Sequence, residues 1–79
     1  MVELSSVEIK VLTEASRHRS VDTQHLVDIT DAGYVDTLMA VRRLLDAELM
    51  DPWQRNGFYQ ITPTGRAWLA EKEKKHDAQ

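Results

Sequence analysis

The groups able to do chemistry in this chain are three histidines, a few arginines and a cluster of aromatics around one hairpin-like stretch. His18, His25 and His76 fall on different elements, with no carboxylate or second histidine at a recurring ligand spacing, so no metal site is expected. "RHR" at 17–19 reads most simply as a solvated helix end. The three glycines are isolated turn or helix-start residues rather than a phosphate-cradling loop. Cysteine is absent, which removes disulfides and thiolate ligands. A domain this small leaves little room beside its core for a pocket of about 300 Å³ or more. Neither catalysis nor a cofactor is expected. Arginine has the right chemistry for guanine edges and for phosphates, and the chain holds six of them.

These residues must be positioned by one small domain, spanning 1–79. A chain of this size buries only about 60–65% of its unfolded surface, so its stability rests on packing and on a dimer interface if one forms. Hydrophobic residues at 42% and charged residues at 29% describe an ordinary globular chain. "MVELSSVEIKVL" lacks a cationic start and alternates apolar with polar residues, so neither a signal peptide nor a membrane span is expected. A cytoplasmic location follows by default.

"LSSVEIKVLTEASRHRS" predicts a helix over 6–17, with Ser5 and Glu8 at capping-box spacing and Leu4 and Ile9 placed for a hydrophobic staple. After a break at Ser20, Asp22 or Thr23 caps a short second helix anchored by Leu26 and Ile29. "TDAGY" reads as a tight turn, with Gly33 taking positive φ and Asp31 capping the helix after it. The third helix, "YVDTLMAVRRLLDAEL", puts Leu38, Val41 and Leu45 on one face, flanked by Tyr34, Thr37 and Leu44. Asp36, Met39, Arg43 and Asp46 lie opposite. Asn56-Gly57 suits a two-residue type I′ hairpin loop, pairing Arg55 with Phe58, Gln54 with Tyr59 and Trp53 with Gln60. Thr62-Pro63 opens the last helix, Trp68 and Leu69 anchor it, and 71–79 is a charged tail expected to fray. The fold class is mainly α with a two-stranded β-hairpin. Helices two and three, joined by a short glycine-containing turn, form a helix-turn-helix.

Three stretches then carry a family likeness. "QHLVDIT" looks like a second helix, and "VRRLLDAELM" looks like a helix end of the form L-x-x-x-G-L-I/V. "FYQITPTGRAWL" is similar to Y-x-L-T-x-x-G-R-x-x-L, with Ile61 for the leucine. In order and spacing, including Leu26, Leu44 and Leu49 at the core leucines, the chain resembles the winged-helix transcription regulators of the MarR and PadR type. It departs from them in having Glu48 where their recognition helix ends on glycine, and in a short wing with one basic residue near its tip.

The resemblance implies a recognition helix at about 34–47 in the major groove of double-stranded DNA and a wing at 50–61 along the backbone or minor groove. Carried over, Tyr34, Asp36, Met39 and Arg43 face the groove, Arg42 lies at its edge, Gln24 reaches a phosphate and Arg55 is the wing contact. It also implies a homodimer through the first and last helices, with Val2, Leu4, Val7 and the Trp68 face as the free surfaces. Charge opposes this reading, since 17–66 holds six basic and seven acidic residues within a chain of net charge −3. The alternative keeps the fold and makes it a protein-interaction module, using a Trp53–Phe58 pair beside Arg55. Trp53 reads more simply as an aromatic folded back over the core.

Overall fold

The computed structural model describes residues 3–53 and 57–77. Its elements run α1 (Ser6–Arg17), β1 (Val21–Asp22), α2 (Thr23–Thr30), α3 (Tyr34–Asp46), β2 (Met50–Pro52), β3 (Phe58–Ile61) and α4 (Pro63–Asp77). The arrangement is a winged helix-turn-helix: four helices with a small antiparallel sheet at one edge. Val11, Leu12 and Ala15 of α1 meet Leu26 of α2, Ala40, Val41 and Leu44 of α3, and Val21, Leu49 and Met50 in one core. Tyr59, Ile61, Trp68 and Leu69 pack on that core from the wing and α4.

Helix starts follow local chemistry. At α1 the capping box is closed in both directions: Ser5 N–H donates to Glu8 Oε1 at 2.8 Å, and Glu8 N–H donates to Ser5 Oγ at 3.3 Å. At α2 Asp22 is the cap, accepting from His25 N–H at 2.8 Å. The turn into α3 differs from expectation. Asp31 closes α2 in the left-handed region (φ 54°), and the residue before α3 is Gly33 (φ 88°), with no side-chain cap. Only glycine holds that φ without strain.

The end of α3 answers the Glu48 departure. Glu48 N–H donates to Leu45 O and Leu49 N–H to Leu44 O, both at 3.0 Å, the paired bonds of a Schellman ending. Glu48 occupies the glycine position of that motif with φ 62°, so the backbone keeps the glycine shape and a glutamate carries the strain. Thr62 then joins this end to α4. Its hydroxyl donates to Glu48 O at 2.7 Å and accepts from Gly65 N–H at 2.9 Å. Gly65 is there for space: a Cβ would run into the Leu49 carbonyl and come within 2.7 Å of Ile61 Cγ1.

Three further expectations are corrected. The sheet has three strands in the order β1-β3-β2, because Val21 and Asp22 pair with Tyr59 and Phe58. A two-residue strand is too short to show a period-2 pattern in the sequence. The hairpin register is shifted by two: Met50, Asp51 and Pro52 face Ile61, Gln60 and Tyr59, and Trp53 N–H donates to Phe58 O at 2.9 Å. Four positions therefore lie between Trp53 and Phe58; the expected Asn56-Gly57 loop falls partly on 54–56, which lie outside the described residues. A shift of two preserves the faces, so Tyr59 and Ile61 still look inward. Finally, the charged segment expected to fray from position 71 continues α4 through Asp77.

Candidate nucleic-acid interface

The surface to test is the outer face of α3. Its buried seam is Thr37, Ala40, Val41 and Leu44, whereas Leu38 and Leu45 are only half-buried flanks. The helix is thus rotated from the face that its leucines suggest. Thr37 can sit inside because its hydroxyl meets that of Thr30 at 2.9 Å, tying α3 to α2 across the turn.

Rotation re-sorts the candidate residues. Val35 (67% exposed), Met39 (65%), Arg42 (side chain 80%) and Asp46 now form the centre of the outward face. Tyr34, 60% exposed, stands at one edge; Asp36 and Arg43 stand at the other, towards α1. Arg42 is therefore central rather than peripheral, and Arg43 peripheral rather than central. Val35 and Leu38 were missed from the sequence. With Tyr34, Met39, Arg42, Arg43 and Asp46 they line an open groove of about 490 Å³, on the outside of the helix rather than beside the core.

Both arginines have acidic neighbours. Arg42 Nε lies 3.8 Å from Asp46 Oδ1, an exposed pair one turn apart that holds neither side chain firmly. Arg43 Nε lies 3.5 Å from Glu8 Oε2, and Glu8 is buried. The carboxylate that caps α1 thus also orients an arginine of α3. Gln24 is exposed on α2, its amide donating to Asp28 Oδ1 at 3.0 Å. Arg55 falls outside the described residues. Trp53 and Phe58 are half-buried on the sheet face opposite Tyr59 and Ile61.

The first two histidines, read as isolated, are brought together. His25 Nε2–H donates to Glu14 Oε2 at 2.6 Å, and His18 Nε2–H donates to the same oxygen at 3.3 Å. Their rings meet edge to face with centroids 5.4 Å apart. The His25 hydrogen bond, supported by that of His18, holds the Glu14 carboxyl below the usual carboxylate range against the opposing effect of burial. The signal available in the sequence was Glu14 four residues before His18, one turn of helix.

No protein-family model matches the sequence, and no curated protein matches it. Among solved structures the chain is similar to Bordetella bronchiseptica BpsR, a protein whose DNA binding is regulated by 6-hydroxynicotinic acid. The TM-score is 0.83 at 17% identity, over 96% of this chain. At that identity the likeness is one of fold. The chain spans 58% of the BpsR chain. No described helix is long and apolar enough to cross a membrane.

Proposed function

We propose that this chain is a DNA-binding winged-helix protein of the MarR and PadR kind, a cytoplasmic transcriptional regulator working as a homodimer. The observation that carries the reading is the open outer face of α3. It is the second helix of a helix-turn-helix, it is left uncovered by the fold, and it stands beside a hairpin wing. BpsR, with the same fold, is a DNA-binding protein.

In this reading α3 enters the major groove. Arg42 takes a guanine edge or a phosphate, and Val35 and Met39 offer apolar contact to thymine methyl groups. Tyr34 and Asp36 lie at the rims, where aspartate accepts from cytosine N4. Gln24 reaches a phosphate by releasing Asp28, and Arg55 extends the contact from the wing. Arg43 frames the site from its ion pair with Glu8. Two such units pairing through α1 and α4 would read half-sites about 34–36 Å apart. Leu4, Val7 and Trp68, named for that pairing, already pack partly on their own core, and Val2 lies outside the described residues. The dimer would use what remains exposed of them together with the length of α4.

The test is fluorescence anisotropy against pooled duplex DNA at low and near-physiological salt, with Arg42→Ala beside the wild type. Arg42→Ala is a cleaner probe than Arg43→Ala, which also strips Glu8 of its partner. Salt-sensitive binding weakened about tenfold or more by Arg42→Ala supports the reading. No binding at low salt overturns it. Sedimentation should give a dimer mass at tens of micromolar, and a monomer mass throughout would remove the homodimer. One observation favours a second reading: among the described residues the exposed large hydrophobics, Tyr34, Val35 and Met39, fall on α3. That concentration suits a protein partner as well as a groove. Failure to bind DNA would move the function there.

A further inference from the structure

We infer that Glu14, His18 and His25 form a binding site for a first-row divalent transition ion, with zinc as the representative ligand, joining the end of α1 to the start of α2. This site uses none of the residues of α3 and does not rest on the DNA reading.

Three observations carry it. The first is convergence. Both imidazoles direct Nε2 at the same carboxylate oxygen, Glu14 Oε2, and the three donor atoms all lie within 4.8 Å of one another. Four-coordinate zinc with arms of about 2.0–2.2 Å needs its ligand atoms roughly 3.3–3.5 Å apart. The His18–Glu14 separation of 3.3 Å already matches that edge. The His25–Glu14 separation of 2.6 Å is a hydrogen bond, which opens slightly when an ion replaces the shared proton.

The second observation is that the ligands are positioned from separate elements. Glu14 sits on α1 and His18 one turn later, at the residue that ends the helix. His25 lies in the first turn of α2, its backbone N–H fixed by the Asp22 cap at 2.8 Å. An ion at this point closes the loop 19–24, which carries β1 and so one edge of the sheet.

The third is the chemistry and exposure of the set. Two imidazoles and one carboxylate suit zinc and its neighbours in the first transition row, and are nitrogen-rich for calcium or magnesium. The His18 and His25 side chains are 48% and 41% exposed, so an ion can enter and a water can complete its coordination. Arg17 Nη1 approaches the other carboxylate oxygen, Oε1, at 3.8 Å, leaving Oε2 to the ion. Its exposed side chain can hold Oε1 as an outer partner of the ligand.

The experiment is calorimetric titration of tag-free full-length protein with zinc chloride, with thermal melts in parallel. Cobalt(II) absorption reports coordination geometry. One ion per chain is expected, with a melting temperature raised by about 4 °C or more at saturating zinc. His18→Ala and His25→Ala should each weaken binding by about tenfold or more, while His76→Ala leaves it unchanged. His18 is the surer probe, because its exposed position at the helix end lets the variant fold. Circular dichroism checks that it does. The proposal is overturned if zinc up to 100-fold molar excess gives neither heat nor a shift in melting. Binding that survives His18→Ala, or that disappears with His76→Ala, overturns it equally.

Discussion

Two positions in the backbone make opposite demands on side-chain size. Glu48 holds a left-handed conformation in which a Cβ is unfavourable, and its side chain is exposed. Its charge also sits at the negative end of α3. Glu48→Gly should therefore stabilise the fold by about 1 kcal/mol, read as a higher denaturant midpoint at unchanged slope. A loss of stability would mean that the glutamate makes a compensating contact. Gly65 is the reverse case. Its φ is ordinary for a helix, but the Leu49 carbonyl and Ile61 leave no volume for a methyl group. Gly65→Ala should destabilise by about 2 kcal/mol or more, because the obstacle is backbone and cannot swing aside. The glycine of the "GR" motif thus has a packing role that a reading of isolated glycines passes over, since the backbone it must clear belongs to Leu49, at the far end of the wing. An unchanged midpoint for Gly65→Ala would show that the α3–α4 junction can relax.

Among the elements, α2 and α3 of the helix-turn-helix share a buried hydroxyl pair beside their apolar packing. Thr30 and Thr37 bridge α2 and α3, and Thr30 Oγ1 also lies 3.4 Å from the Val27 carbonyl. Thr37→Val should cost about 1 kcal/mol, since Thr30 can still donate to Val27. The double variant Thr30→Val, Thr37→Val should then cost less than the sum of the two single changes, by about 0.5 kcal/mol or more, in a double-mutant cycle. Strict additivity would mean that the bond does not couple the helices. The same pair explains where the sequence was and was not legible. The start of α1 and the start of α4 could be read directly, because a capping box, a Thr-Pro step and the contacts they make lie within a few residues. The face of α3 could not: a helical wheel favours Leu38 and Leu45 over Thr37, whose burial depends on a partner seven residues away. The hairpin register escaped for the same reason. Asn-Gly is a local preference, whereas the pairing is held by Val21 and Asp22 on a third strand more than thirty residues distant. For the candidate interface, the residue types were legible and their exposure largely so. The Arg43–Glu8 pair and the Glu14–His18–His25 cluster were not, because each needs two elements to be packed together first.

At the scale of the whole molecule, net charge sets how DNA binding must behave if the proposed function holds. The chain carries 10 basic against 13 acidic side chains, and the outward face of α3 presents Arg42 beside Asp46. Such a surface cannot draw its affinity mainly from released counterions. If Arg42 and Arg55 each neutralise one phosphate, the logarithm of the binding constant should fall with the logarithm of salt with a slope of about −1.8 per protomer. A strongly basic regulator making six or more phosphate contacts would show a slope steeper than about −5. The two cases are told apart by anisotropy over a fourfold range of monovalent salt, with Asp46→Asn beside the wild type. Removing Asp46 frees Arg42 and lowers local repulsion, so affinity for unrelated duplexes should rise several-fold while the slope steepens by no more than about one contact. The acid would then be a brake on indiscriminate binding, leaving Val35, Met39 and Tyr34 to sense the bases. A slope near zero would instead assign the apolar face of α3 to a protein partner, because no duplex can be bound tightly without displacing its counterions.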